Sequence, residues 1–451
     1  MRFHVQKARW LVLLCAMVGL GAAAQEPLTL RQAIQQALGA NPEAKEATAE
    51  THEAKANASL ARAQLIPQLN FTEDISRGDD PVYVFGSKLR QQAFTQADFA
   101  VDTLNRPRPI DDFASRFSGS WSAFDSFKTQ KTIHSADLMR KSADSLAQAV
   151  NQKIVLDVVE AYQSVLYAER QIDIAQHEQE TAEALLSSVS DHVNAGLAVD
   201  SDRMSAEVNV AARKQELIAA QGELEMAWAQ LRAAMGAPDL KETELQPITP
   251  HGFPQLALDQ ELQTALKTRS DFAALTQAQS AQAEAVSAAK VGFGPRINAY
   301  GNWEQDRSTF AGSGGNNWVA GVQINIDIAP FSKRAQLQHE VAARDRVDAQ
   351  VASYRQQVGL QVTQAHIQRQ TAQLSLQTAQ AAVDQSTESL RILRNRYGAG
   401  LATITDLLRA EDAERQSQTS YWHAVYGNAA AYAQLLFATG TLTPDAAEEL
   451  Q

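Results

Sequence analysis

Two stretches of this 451-residue chain admit very few folds. Lys128 to Val193 contains neither proline nor glycine, and Ser332 to Tyr397 contains only Gly359. Proline breaks a helix and glycine weakens one, so chain lacking both over such a length reads as continuous α-helix. At 1.5 Å per residue each would extend roughly 100 Å, far beyond an ordinary globular helix. Apolar residues recur at heptad steps. Val158, Val165, Ile172, Leu186 and Val193 form one series, broken by Gln179; Leu376, Val383, Leu390 and Tyr397 form the other. A period of 3.5 implies supercoiled helices. Alanine and glutamine fill much of the rest, which suits close packing of slim helices. Taken alone, the pattern also fits the core of a soluble bundle.

The two stretches belong to an internal repeat. A shift of 228 carries Leu28-Thr29-Leu30 onto Leu256-Ala257-Leu258, Ala37-Leu38 onto Ala265-Leu266, Pro67 onto Pro295 and Asn70 onto Asn298. A shift of 204 carries Phe127 onto Phe331, Ala195-Gly196-Leu197-Ala198 onto Ala399-Gly400-Leu401-Ala402, Asp202 onto Asp406 and Gly236 onto Gly440. The shift changes by 24 residues, which places an expanded loop at Arg77 to Ala114 against the short run Asp306 to Asn317. The expected organisation is a first repeat at 25–236, a proline-rich linker at 237–255, a second repeat at 256–440 and a tail at 441–451.

Each half reads helix, strand, loop, strand, very long helix, turn, helix. Pro42 to Leu65 is rich in Ala, Glu and Lys, and Pro67 stops it. Period-2 patterns at Ile66–Ile75, Phe117–Phe124, Arg296–Trp303 and Trp318–Ile328 predict four strands of about membrane-spanning length. Glycine at Gly196 and Gly400 supplies the left-handed residue that ends each long helix. Val199-Asp200-Ser201 and Thr403-Ile404-Thr405 supply Ser, Thr and Asp as caps for the return helices. Four strands cannot close a barrel, and a sheet that spans a bilayer must close. Several chains must then contribute; three would give twelve antiparallel strands. The strand-to-strand loops lie at one end of such a barrel and the helices at the other.

The N-terminus reads as an address. Arg2, Lys7 and Arg9 precede the apolar run Trp10 to Leu20, and Ala22-Ala23-Ala24 is a small-residue cleavage site, so 1–24 is expected to be a secretory signal peptide. The apolar run is too short for a membrane anchor. The one cysteine, Cys15, falls inside it behind Leu13-Leu14, which excludes a disulfide framework and disfavours an acylated cysteine. Net charge is −12, and −15 without the signal's three positive charges, which argues against nucleic acid. The nine histidines are scattered, the nearest two being His177 and His192, and there is no H-E-x-x-H, no G-x-S-x-G and no cysteine nucleophile. No catalytic residue, cofactor or metal site is expected, and the many carboxylates on helix faces read as solvated surface. Gly312 to Asn317 is glycine-rich but lacks the Lys-Ser/Thr of a phosphate loop and reads as a short outer loop.

Together the opening Leu28-Thr29-Leu30-x-x-Ala33-x-x-x-Ala37-Leu38-x-x-Asn41-Pro42, the two Ala-Gly-Leu turns, the Asp after each turn and the duplication resemble the TolC-type outer-membrane factor family over nearly all of Leu28 to Gly440. The resemblance implies a mainly α protein with a small β part. It implies a homotrimer whose twelve-stranded outer-membrane barrel, four strands per chain, continues into a long α-helical coiled-coil barrel in the periplasm. It implies an exit duct for efflux or type I secretion, docked to a periplasmic adaptor and a proton-driven or ABC inner-membrane pump. By the same resemblance, Asp202 pairs with Tyr397 to hold the inner mouth closed, and Asp406 lines the constriction. The family's Arg after the second turn is Ala402 here, and its second Asp is Arg409, which sits three residues from Asp406 and could pair with it. Asp406 could equally be a plain helix-start carboxylate. The tips Gly196, Leu197, Gly400 and Leu401 are expected adaptor contacts, or simply helix reversals. Two alternatives stay open: a soluble periplasmic coiled-coil scaffold, and, within the duct class, drug or metal efflux against protein secretion.

Overall fold

The computed structural model describes residues 27–248, 253–254, 256–448 and 450. The expected signal peptide and part of the linker lie outside them. Helices α1 (Leu30–Ala40) and α2 (Pro42–Ala63) lead into strand β1 (Gln68–Gly78). An excursion follows, with α3 (Pro81–Arg90), a 3₁₀ turn (Gln96–Phe99) and α4 (Val101–Asn105), before β2 (Ile110–Phe124). The long α5 (Lys128–Asn194) reverses into α6 (Asp200–Met235). The order then recurs: α7 (Leu258–Thr268), α8 (Ser270–Val291), β3 (Arg296–Arg307), β4 (Gly314–Asn325), α9 (Phe331–Gly398) and α10 (Ile404–Ala438), with a short α11 (Pro444–Glu448) at the end.

The long helices run unbroken over 67 and 68 residues, within two residues of the expected ends. The strands depart further from expectation. β2 begins at Ile110 and β3 runs on to Arg307, because charged residues at the outer end of the sheet pair across strands. β4 begins at Gly314, so the glycine run expected as loop is mostly strand. The stretch Arg77–Ala114 is not a plain loop: it carries two helices and a 3₁₀ turn.

The strands form one antiparallel sheet in the order β1-β2-β3-β4, with both outer edges unpaired. Pairing register divides its side chains over the part nearer the long helices, while at the outer end Glu73, Ser115 and Arg307 lie on the aromatic side and bond one another. Phe71, Phe117, Trp303 and Trp318 lie opposite one another in an aromatic row across all four strands. Phe71 and Phe117 are 4.7 Å apart at their centroids, and Phe117 and Trp303 5.8 Å. Leu69, Ile75, Trp121, Val322 and Ile324 share that face and are exposed. The other face carries Asn70, Thr72, Ser118, Ser120, Asn302 and Gln323. An exposed apolar face with an aromatic row, opposite a polar face, is the pattern of a strand between lipid and lumen.

The helices below the sheet are held in two stages. The sheet-side half of α5 packs on α8, where the Ser135 and Ser142 hydroxyls donate to Ala281 O and Ala274 O, both at 2.8 Å. The far half packs on α6 through Ala161, Ala168, Ala175, Ala182 and Val189, all buried and seven residues apart. This alanine seam lies three residues along from the larger apolar series in the sequence, the spacing between the two apolar positions of a heptad. Small side chains let the backbones approach. Between the stages lies the main core, where Leu30, Ile34, Tyr162, Trp228, Leu231 and Met235 are fully buried.

The joints there repeat. The Asn41 amide donates to Ala234 O at 2.9 Å, and the Arg269 guanidinium to Ala438 O at 3.1 Å. Gly236 (φ +62°) and Gly440 (φ +72°) press against those same residues.

Candidate functional site at the helix reversals

The two hairpins end in matching caps. Leu197 N donates to His192 O and Leu401 N to Arg396 O, both at 2.8 Å; Gly196 N donates to Val193 O and Gly400 N to Tyr397 O, at 3.0 and 2.9 Å. This pair of bonds requires a left-handed residue, and Gly196 and Gly400 have φ of +72° and +71°. Open space surrounds both glycines. Leu197 and Leu401 are 78% and 69% exposed, so each turn presents one apolar side chain at its tip. The return helices start differently. Thr403 caps α10 in a capping box with Asp406, whereas α6 starts at Val199 with no side-chain cap. The expectation of a Ser, Thr or Asp cap therefore holds only for the second hairpin; at the first, Asp200 turns instead to Arg203 at 2.7 Å.

Tyr397 sits where the two hairpins meet. It packs against Val189, Ala206 and Ile404 in one apolar cluster and against Leu390, Leu407 and Ala410 in another. Burial, and then the charge of Asp202, push its phenol above the ordinary value. The structure therefore brings Asp202 near Tyr397, with no hydrogen bond between them. Asp406 is engaged locally: its Oδ2 accepts from Thr403 N at 3.1 Å and Thr403 Oγ1 at 2.7 Å. Those bonds hold its carboxyl below the usual range. The pairing of Arg409 with Asp406 does not form. The capping box has already turned the carboxylate to Thr403, and Arg409 has no ion pair among the described residues.

About two to five helical turns back from the tips lies a group that the sequence pattern did not single out. Arg213 of α6 is buried and pairs with Asp412 of α10 at 2.5 Å and with Glu216 at 2.7 Å. Arg394 of α9 reaches Glu411 at 3.4 Å. Glu411 and Glu414 are buried, which corrects the expectation that helix-face carboxylates are all solvated. Four helices meet there, so a carboxylate that is exposed on one helix is covered by another. The i, i+3 spacing of Glu411 and Glu414 was the available signal. Burial, with Glu414 and Glu411 adding to it against Arg213 and Arg415, pushes the nearby Glu178 carboxyl up to about 7.

That shift sets a pH dependence. The folded chain holds the Glu178 proton more tightly than the unfolded chain, whose carboxyl titrates near 4.5. The cost of charging it is absent below the lower value, grows between the two, and is complete above the upper one. Glu178→Gln is expected to stabilise the chain at about pH 8, by on the order of 2 kcal/mol after discounting for solvent, and to change nothing at about pH 4.5. Thermal unfolding at the two pH values reads this directly. Equal effects at both would assign the change to packing.

Among the described residues, no group of His, Cys, Asp or Glu is placed to hold a metal ion, and no helix is long and apolar enough to cross a membrane. A family model described as outer membrane efflux protein matches residues 33–237 and 262–441, well over half of the chain. The chain belongs to the outer membrane efflux protein family. It is similar to the alkaline protease secretion protein AprF of Pseudomonas aeruginosa, 21% identical over 418 residues, 90% of this chain and 83% of AprF. It is also similar to CyaE of Bordetella pertussis, 23% identical over 299 residues, 65% of this chain and 63% of CyaE. Its fold is that of the CmeC outer membrane channel of Campylobacter jejuni, with a TM-score of 0.78 at 16% identity, covering 91% of this chain and 85% of that one. This efflux-family chain is a duct of the outer membrane, and its family and fold are those of channels. The periplasmic scaffold is set aside by the family match and by the sheet's exposed apolar face.

Proposed function

We propose that three copies of this chain close one barrel and one helical tunnel, and that the tunnel receives cargo from an inner-membrane pump through a periplasmic adaptor. The observation that carries this reading is the open four-stranded sheet with one apolar face. Its unpaired edges can only be satisfied in a bilayer by other strands. A lengthwise groove along α9 and α10, lined by Ile367, Thr371, Leu374 and Ala431, is a further surface available to a second copy. Energy would come from the pump, and the chain itself would do no catalysis.

The exposed Leu197 and Leu401 would be apolar anchors for the adaptor, with Gly196 and Gly400 allowing close backbone approach. Asp202 and Tyr397 would hold the inner mouth shut. Three copies of Asp406 would still place a ring of negative charge near the axis while capping α10. AprF is by name a secretion protein, which favours a protein cargo over a small molecule. The test is the mass of the native protein, extracted in mild detergent and measured by light scattering with the detergent subtracted. Three chains are expected. A monomer or dimer that washes off the membrane without detergent would overturn the reading.

A further inference from the structure

Where the sheet gives way to the helices, α5, α8 and α9 enclose a pocket of about 390 Å³. Lys128 and Thr132 of α5 form one wall, Lys333 and Gln336 of α9 the other, and Ala288 and Ala289 of α8 the floor. The two lysines differ. Lys333 is tied down: its ammonium donates to Gly292 O at the C-terminal cap of α8 and pairs with Asp327 at 2.5 Å. Lys128 runs past the same glycine, where a Cβ would lie 3.6 Å from its Cδ, yet its side chain has no hydrogen bond or ion pair among the described residues. The one carboxylate of the pocket, Glu340, is already engaged, accepting from Gln282 at 2.8 Å and Gln336 at 2.5 Å.

Strand pairing places the pocket. Arg296 pairs with Asn325 and stands on the same face as Asn298 and Asn302. Asp327, two residues past Asn325, continues that face, meeting Arg296 at 3.4 Å and Lys333 at 2.5 Å. The pocket therefore opens on the polar side of the wall, just below the sheet. Glu284, next to Ala285 of the pocket, lies outside it and pairs with Lys131 at 3.0 Å. Toward the outer end the polar face carries Ser118, Ser120, Tyr300, Asn302 and Gln323. Among the described residues it carries no charge until Arg116 meets Glu304 at 2.9 Å.

We propose that this pocket is a cargo-binding station in the wall of the duct, and that it takes an acidic, extended polypeptide segment through its carboxylates. This rests on the three-copy reading above, which turns the polar face inward. Charge selects the occupant. Lys128, Lys333 and Arg296 face Asp327 and Glu340, which leaves one positive charge in excess per copy of a chain whose total is −12. An entering carboxylate gains Lys128, a cation with no other partner, while the alanine floor accepts the apolar atoms beside it. Lipid lies on the opposite face of the sheet. The rows above offer hydrogen bonds and no counter-charge, so an acidic segment is held at the pocket and not beyond it.

The chain has no cysteine beyond Cys15, so a thiol placed in the pocket reports alone. In the purified assembly of the full chain, N-ethylmaleimide is expected to label Thr132→Cys, with hexaglutamate slowing the reaction and hexalysine leaving it unchanged. Adding Lys128→Gln should raise the hexaglutamate concentration that halves the rate about tenfold, as loss of a charge-assisted bond predicts. Lys128→Arg should restore the protection, and Lys131→Gln, outside the pocket, should not alter it. If Thr132→Cys is not labelled in an assembly of three, the pocket is closed to the lumen and the proposal is overturned. Labelling that hexaglutamate does not slow, or slows equally with Lys128→Gln, also overturns it. If free glutamate at the same carboxylate concentration protects as well, the segment is overturned in favour of small carboxylates. If light scattering finds no assembly of three, the underlying reading fails before the station is tested by labelling.

Discussion

Gly440→Ala is expected to destabilise the chain by about 3 kcal/mol, and Gly236→Ala by a similar amount. Both glycines have positive φ, which costs an alanine about 1–2 kcal/mol. The larger difficulty is space. A Cβ at Gly440 would lie 2.7 Å from Arg269 Cα, and one at Gly236 would lie 2.6 Å from Asn41 Cα. Both neighbours are backbone at the junction of two helices, so they cannot rotate away as a flexible side chain would. Overpacking of this kind costs roughly 1–3 kcal/mol more. Gly196→Ala is the control, because that glycine has the same positive φ in open space and should show only the conformational part. Thermal unfolding followed by circular dichroism ranks the three variants. Equal losses at positions 196 and 440 would show that the close approach contributes nothing.

The largest change in activity is expected at the inner mouth. Asp202→Ala combined with Tyr397→Phe should raise the single-channel conductance of the isolated protein, because Tyr397 sits at the junction of the two hairpins with Asp202 beside it. Losing about 1.4 kcal/mol of closing interaction would shift the open population about tenfold. The phenyl ring of the variant keeps the apolar packing, so the effect isolates the hydroxyl and the carboxylate. Arg409→Ala should change little, since Arg409 has no ion pair among the described residues and the Asp406 carboxylate is already bound to Thr403. Unchanged conductance in the double variant, measured on an assembly of normal mass, would place the closing contacts elsewhere.

Part of the site was legible in the residues. The turns at Gly196 and Gly400 could be read because a positive φ at a helix end selects glycine whatever surrounds it. The capping role of Asp406 was also available, since Thr403 and Asp406 stand at capping-box spacing. The missing Arg409 pair was not, because Thr403 three residues before Asp406 and Arg409 three residues after it competed for one carboxylate. The network of Arg213, Glu411, Glu414 and the half-buried Glu178 left only the i, i+3 spacing of Glu411 and Glu414 as a sign, and that spacing does not say which carboxylates are covered. Glu411 falls on Glu207 in the repeat alignment, yet Glu207 is exposed and Glu411 is buried. Identical side chains at equivalent positions take opposite environments because α10 is covered by other helices where α6 is not.

The sequence by itself determined the long helices, their reversal points, the number of strands and the duplication. Each of these is set by local backbone preference: absence of Pro and Gly, glycine at a positive φ, and a period of two or of 3.5. It carried even the two spacings, for 204 separates Gly236 from Gly440 and 228 separates Asn41 from Arg269. Only the tertiary structure decided that these four residues meet in two matching joints. It alone decided which alanines form the seam between α5 and α6. Those outcomes depend on contacts between residues far apart in the chain. A local pattern specifies which side chains could face a partner, and packing selects the partner that does.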